Sequence, residues 1–219
     1  FLESYIYIRH SSINIMGVNN MAKTLRQAIR EGVVKIGDKF EYYPGEKEKT
    51  IPGRKTGMAD CQKFKTEKFK SWIFVGIDGK NAVFVSNKAT EMKLVLKGKV
   101  GAKNGSKIIK DIAQIYGDFP KVKATAIDEE FIEKYDLKLD CEFWTSDKYL
   151  VGKVNGIYKA FYLTAVTENC EEYSITQKLL FDEVGNRFSG SVPSCSYGIR
   201  IAIFVPLSAG IYENRDILL

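Results

Sequence analysis

The sequence predicts an α+β protein, with short helices in its N-terminal half and a run of strands after residue 140. Two observations support this prediction. Apolar residues recur at helical spacing early in the chain, whereas beyond Cys141 segments rich in β-branched and aromatic residues alternate with turn residues. Helices followed by consecutive strands favour an α+β domain over a doubly wound sheet.

The length and composition favour one folded unit. With 219 residues, 45% of them hydrophobic, the chain can bury a substantial core. We expect a single domain over residues 21–219, made of a helix and hairpin part (21–140), a strand-rich part (141–208) and a tail (209–219). No apolar run approaches the roughly 20 residues that a membrane-spanning helix needs, so no membrane span is predicted.

Residues 1–20 differ in character from the rest and lack the features of a signal peptide. Residues 17–21 can be encoded by a purine-rich, ribosome-binding stretch directly before an ATG at Met21. We therefore expect translation to begin at Met21, with residues 1–20 a translated upstream region. The alternative is a genuine N-terminal arm that packs against a neighbouring subunit.

The first helix is predicted just after Met21. Leu25, Ala28 and Ile29 recur at helical spacing, and Thr24 followed by Gln27 fits a capping box. Gly32 supplies a stop signal.

A strand is predicted over residues 39–43, followed by a long loop over residues 44–66, which is rich in Pro, Gly and charged residues. A hairpin comes next, with strands at residues 72–77 and 82–86 joined by a turn at Asp78 and Gly79.

The middle of the chain predicts two helices. Ser106 can cap the first, which has Ile108, Ile109 and Ile112 on its apolar face and ends at Gly117. A shorter helix is expected after Thr125 or Asp128, because acidic residues suit a first helical turn.

The C-terminal part is predicted to form strands separated by turn residues such as Asn155-Gly156 and Pro193. The predicted strands are residues 142–146, 149–154, 158–165, 173–181, 187–189 and 199–207. Phe143, Trp144 and Ile203 are expected in the core.

Charge is unevenly distributed along the chain. The net charge is +6, yet residues 47–123 hold 18 Lys or Arg against 7 Asp or Glu, while residues 124–219 hold 9 against 15. Such a basic middle segment can form a solvated face that balances the acidic part, or can contact nucleic acid. The lysines expected to make that contact are Lys93, Lys97, Lys99, Lys103, Lys107 and Lys110.

The sequence lacks the residue sets that common catalytic sites require. The only histidine is His10, which excludes a His-based triad from residues 21–219, and there is no phosphate-binding glycine loop or GxSxG elbow. The cluster Asp128, Glu129, Glu130 and Glu133 fits a solvated helix N-terminus better than a metal site. We predict a protein that is not an enzyme and has no metal or cofactor.

The four cysteines, Cys61, Cys141, Cys170 and Cys195, are widely spaced and form no zinc-type cluster. We expect reduced thiols, with Cys170 and Cys195 the one pairing to test.

Two segments of the C-terminal part resemble a known module. Residues 143–146 (Phe-Trp-Thr-Ser) and the segment from Ser196 to Ser208 are similar to the segments that open and close the final subdomain of DUF6273 proteins, an uncharacterised class of prophage and surface proteins of Firmicutes. The stretch from Met21 to Gly45 resembles the opening of the same family. The resemblance implies a C-type-lectin-like, mainly antiparallel C-terminal part and a role in binding a ligand.

As the resemblance implies, we expect a phage or prophage accessory protein, made in the bacterial cytoplasm and associated with virions if it is structural. Its partner would be a protein or glycan on a virion or host surface, and a homo-oligomer is an open alternative. Arg200, in the closing segment, is expected to make structural ion pairs or hydrogen bonds. Formylglycine-generating enzymes share the lectin-like fold, so an oxidase that uses Cys170 and Cys195 is a further alternative.

The ligand-binding surface is predicted to be rich in tyrosine, because tyrosine offers a large rigid contact area with a polar tip. The candidates are Tyr158, Tyr162, Tyr173, Asn186 and Arg187. Alternation places Tyr158 and Tyr162 on one face of a strand and Phe161 and Leu163 on the other, and does not determine which face is buried.

Overall fold

A computed structural model describes residues 23–118, 121–154, 158–169, 171–182 and 194–211. The fold is α+β and mostly antiparallel, as predicted from the sequence. Among the described residues, no helix combines the length and apolar character needed to cross a bilayer.

The helices are α1 (Leu25–Arg30), α2 (Gly53–Thr56), α3 (Gly98–Ala113) with a 3-10 extension (Gln114–Tyr116), and α4 (Glu129–Lys134). The strands are β1 (Lys23–Thr24), β2 (Lys39–Phe40), β3 (Glu48–Ile51), β4 (Gln62–Lys65), β5 (Trp72–Asp78), β6 (Asn81–Ser86), β7 (Leu94–Lys97), β8 (Lys123–Ala126), β9 (Phe143–Val154), β10 (Tyr158–Asn169), β11 (Glu172–Asp182), β12 (Ser194–Ile199), β13 (Ile201–Pro206) and β14 (Gly210–Ile211).

Two five-stranded sheets form the body of the protein. The first has the order β11-β10-β9-β12-β7, with the antiparallel meander β9-β10-β11 on one side, and the second has the order β2-β5-β6-β13-β8. The described residues also form two small sheets, β1-β14 and β3-β4. The chain passes from the first large sheet to the second at Arg200, between β12 and β13.

The main core lies between the two large sheets and includes the buried face of α3. Phe84 faces this core, whereas its neighbours Val83 and Val85 face a second apolar cluster that packs against α4. Both faces of the second sheet are therefore covered, which explains why β6 has a continuous apolar sequence. Phe143, Trp144 and Ile203 are buried, as predicted.

Several helix predictions are confirmed. Thr24 caps α1 through a complete capping box with Gln27, and Gly32 follows with a φ of +71°, a backbone conformation that glycine adopts without strain. Asp128 caps α4 by accepting a hydrogen bond from the backbone N–H of Phe131.

The start predicted for the longer helix is wrong, because α3 begins at Gly98 and Ser106 lies inside it. The Ser106 hydroxyl donates to the carbonyl of Ser146, 2.7 Å away, so packing against β9 uses the group that was expected to cap the helix. Three glycines in the first half of α3 lower its intrinsic helix propensity, so the sequence does not indicate that the helix begins there.

Other differences concern boundaries. Residues 44–66 contain β3, α2 and β4 rather than one loop, and the turn of the β5–β6 hairpin lies at Gly79 and Lys80. Residues 143–154 form one long strand, β9, rather than two, and the strand predicted over residues 199–207 is divided at Arg200. Strand β2 is shorter than predicted, and residues 187–189 lie outside the described residues.

Candidate functional site

Two tyrosines of the meander stack on each other. Tyr149 of β9 and Tyr162 of β10 are directly opposed in the register, and their ring centroids lie 5.0 Å apart with an interplanar angle of 27°. Both side chains are half-buried. An offset aromatic pair at this distance is favourable beyond the area it buries, so the two rings form one rigid, partly exposed platform.

The platform lies on the face of the meander that points away from α3. The next pair along the strands, Lys148 and Leu163, occupies the opposite face, where Leu163 is fully buried and reaches α3 at Gly105. Strand alternation in the sequence did not determine which face of this strand is buried. Because Leu163 is buried, the structure shows that its face belongs to the core. Tyr162 is on the more open face.

Carboxylates from two elements border the platform. The backbone N–H of Glu129, at the start of α4, donates to the carboxylate of Asp147 over 2.8 Å. Burial raises the pKa of Asp147, and the charges of Asp128 and Glu129 raise it further. Burial also raises the pKa of Tyr149 well above its usual range, and the nearby carboxylates of Glu129 and Asp147 raise it further. From here on, the name tyrosine platform covers the two stacked rings of Tyr149 and Tyr162 together with the bordering carboxylates of Glu129 and Asp147.

The arrangement of aromatic rings and carboxylates suits the binding of a partner molecule. Aromatic faces can stack on a planar side chain or on the apolar face of a sugar ring, and carboxylate oxygens accept hydrogen bonds from hydroxyl or amide groups. Within the described ranges, no group of three or more His, Cys, Asp or Glu side chains could hold a metal ion.

The structure brings only part of the predicted set together. Tyr162 belongs to the platform, and Tyr158 lies on the same strand nearer the hairpin end, although its side chain is outside the described part. Tyr173 of β11 lies opposite Glu168, about 20 Å from Tyr162 at about 3.4 Å per residue, and packs partly against the second apolar cluster. Asn186 and Arg187 lie outside the described residues.

The binding surface predicted from the sequence did not include Tyr149, Asp147 or Glu129. The sequence placed Tyr149 in the tyrosine-rich region and Glu129 in the acidic start of a helix, and Asp147 was not considered. Tyr149 stands out only once β9 is paired with β10, and Glu129 reaches it from a helix 20 positions earlier in the chain. No local pattern identifies contacts of this kind.

The six predicted lysines do not share one surface. Lys99, Lys103, Lys107 and Lys110 lie on α3, whereas Lys97 ends β7 and Lys93 precedes that strand. Lys99 is half-buried and the other five are exposed.

The described cysteines differ in burial: Cys61 is exposed, Cys141 is half-buried and Cys195 is buried. Burial raises the pKa of Cys141, which disfavours its reactive thiolate. Cys170 lies outside the described residues, so its proposed pairing with Cys195 stays a prediction.

An open cleft of about 270 Å³ lies beside the small β3–β4 sheet, lined by Tyr43, Glu46, Lys47, Glu48, Lys65 and Thr66. Its charged side chains carry both signs, and Lys47 is already engaged through a hydrogen bond to the carbonyl of Gly117. None of the residues predicted from the sequence lines this cleft.

The segments that resemble the two ends of a known module are neighbours in the fold. Phe143 and Trp144 at the start of β9 pair in parallel with Gly198 and Ile199 of β12. Comparison with family models, curated proteins and solved structures finds no match in any of the three.

Proposed function

We propose that this chain is a phage or prophage accessory protein that binds a protein or glycan on a virion or host surface through the tyrosine platform, without catalysing a reaction. The stacked, half-exposed pair of Tyr149 and Tyr162 is the observation that carries the proposal. Tyrosines held rigid before binding lose little conformational entropy when a partner docks, which favours affinity.

The resemblance to the DUF6273 class supplies the biological setting. Direct pairing of β9 with β12 supports it, because the two resembling segments would have to meet if they open and close one C-type-lectin-like module. In this proposal Phe143, Trp144 and Arg200 hold the module together, and the tyrosine platform contacts the partner.

Mass spectrometry of purified virions from an induced lysogen that encodes the protein tests the setting. We expect peptides of this chain at a constant ratio to a structural protein of the particle. Consistent absence from particles would reject a structural role in the virion.

Binding to immobilised particles and to isolated host cell-wall fragments tests the surface. Tyr162→Ser and Tyr149→Ser should each weaken binding at least about tenfold, because loss of a central aromatic contact commonly costs more than 1.4 kcal/mol. Ile77→Ser is the matched control, since it removes a 47% exposed apolar side chain from the other large sheet. Equal losses in the control and the tyrosine variants would contradict the assignment.

A further inference from the structure

The solvent face of α3 carries a row of lysines. Lys99, Lys103, Lys107 and Lys110 are spaced four, four and three residues apart, which confines them to about 80° of the helix circumference at 3.6 residues per turn. The opposite side of the helix is apolar, with Ile108, Ile109 and Ile112 buried in the main core. Packing of α3 therefore fixes the lysine row toward solvent.

Little of this charge is neutralised nearby. Lys107 pairs with Asp111 at 3.1 Å, but its side chain is 80% exposed and such pairs are weak. Within the part of the chain that the structure describes, Lys99, Lys103 and Lys110 make no ion pair. The row thus presents at least three lysine charges to a partner.

A fifth lysine comes from the first sheet. The Lys148 ammonium donates to the carbonyl of Lys103 over 2.6 Å, which places it beside the row. Burial lowers the pKa of Lys148, and the charge of Lys103 lowers it further, so positive charges are held close together there. An anionic partner would relieve this repulsion.

We propose that the lysine row of α3, joined by Lys148, binds the phosphate backbone of double-stranded nucleic acid. From Lys99 to Lys110 the row extends about 16 Å along the helix axis at 1.5 Å per residue. Duplex DNA carries one charge per about 1.7 Å of its axis, so each lysine can meet a phosphate.

The composition of this face favours a duplex. Binding to single strands relies on aromatic side chains that stack on bases, and the exposed side of α3 has none. Phosphate contacts from lysine position a protein without reading bases, so the interaction is independent of sequence. The tyrosine platform lies on the other side of the meander, which leaves both surfaces free to act separately.

The test measures binding of the full chain to a fluorescent 30-base-pair duplex of mixed sequence over a series of salt concentrations. We expect a dissociation constant of about 10⁻⁴ to 10⁻⁶ M at physiological salt and a linear fall of log K with log salt concentration. The double variant Lys103→Gln/Lys110→Gln should bind more weakly, with a salt slope smaller by about 2.

The matched control is Lys63→Gln/Lys65→Gln, which removes the same charge from two exposed positions of β4. It should keep the wild-type slope. An equal loss in both double variants would overturn the proposal, because net charge alone would then explain binding. Absence of salt-dependent binding by the wild-type protein would overturn it as well.

Circular dichroism of each variant verifies folding. The single variant Lys107→Gln tests one position independently, and its slope of log K against log salt concentration should be smaller by about 1. A single strand of equal length and heparin are the competing probes; tighter binding of either than of the duplex would reject the duplex assignment. Tyr162→Ser should bind the duplex like the wild type, so this experiment can fail or succeed independently of the proposed partner-binding role.

Discussion

Arg200 connects the two large sheets through a buried charge. Its guanidinium, in a residue only 3% exposed, donates to the carbonyls of Ser86 and Lys138 and lies 3.2 Å from the Asp140 carboxylate. Its central carbon lies 5.8 Å from the centroid of the Phe143 ring. The sequence predicted a structural ion pair or hydrogen bond for this arginine, and the contacts confirm that role.

We expect Arg200→Ala to destabilise the protein by about 3 to 5 kcal/mol, because it leaves the buried carbonyl of Ser86 and the partly buried carbonyl of Lys138 without their donor. Asp140→Ala should cost about 1 kcal/mol or less, since the Asp140 side chain is 39% exposed. Urea unfolding of both variants measures the difference, with the exposed Lys134→Ala as reference. Equal costs for Arg200 and Asp140 would mean that the ion pair, rather than the carbonyl contacts, is the main contribution.

Asp147 gives the platform a pH dependence. Because its pKa is raised in the folded state, mainly by burial, its ionised form is disfavoured there. The contribution of this group to stability is full below the unfolded-state pKa of about 3.9 and is lost as the pH rises through the higher folded-state pKa.

Replacement of Asp147 with Asn should therefore raise the melting temperature at neutral pH, and the gain should shrink as the pH falls toward 4. The amide oxygen can still accept the hydrogen bond from the backbone of Glu129. Calorimetry of both proteins between pH 3.5 and 8 measures this. A variant that is less stable than the wild type at neutral pH would show that the hydrogen bond outweighs the burial of charge.

At the scale of elements, close approach of α3 to the meander depends on glycine. A Cβ atom on Gly105 would stand 2.8 Å from Cδ1 of Leu96 and closer still to Leu163. These contacts explain why α3 contains a residue that is intrinsically unfavourable in a helix.

Two effects of opposite sign determine the outcome for Gly105→Ala. Helix propensity favours alanine by about 1 kcal/mol, whereas overpacking of a filled core costs about 1 to 3 kcal/mol. We expect net destabilisation of about 1 kcal/mol in denaturant titrations. Lys110→Ala, at an exposed position of the same helix, should stay within about 0.5 kcal/mol of the wild type. A stabilised Gly105→Ala variant would show that the leucines can move apart.

For the whole molecule, strand pairing crosses the boundary between residues 21–140 and 141–208. Strand β7 pairs with β12, and β13 lies between β6 and β8. Each large sheet thus contains strands from both parts of the chain, and we expect the described body of the protein to unfold in a single cooperative transition.

The two tryptophans allow a direct test, because Trp72 lies in the second large sheet and Trp144 in the first, both buried. In Trp144→Phe the fluorescence reports on the second sheet, and in Trp72→Phe it reports on the first. Within each variant, the urea midpoint from fluorescence should coincide with that from far-ultraviolet circular dichroism. Separate midpoints in either variant would reveal two independently unfolding units.

The sequence alone determined the features that depend on neighbouring residues. The capping box at Thr24, the β5–β6 hairpin and the cap at Asp128 follow from side chains that act on backbone groups three residues away or from short-period alternation. Burial of Trp144 and a structural ion pair or hydrogen bond for Arg200 were also predicted, and the structure shows both.

Tertiary structure alone decided which distant residues meet. The side-chain amide of Gln62 exchanges two hydrogen bonds with the backbone of Val95 and so completes the edge of the first sheet, yet nothing near Gln62 in sequence predicts this. Tyr149 joins Tyr162 only through the register of β9 with β10, and Glu129 reaches them only because α4 packs beside β9. The physical reason is that sheet register and helix docking are set by burial summed over the whole core, which a local pattern does not contain.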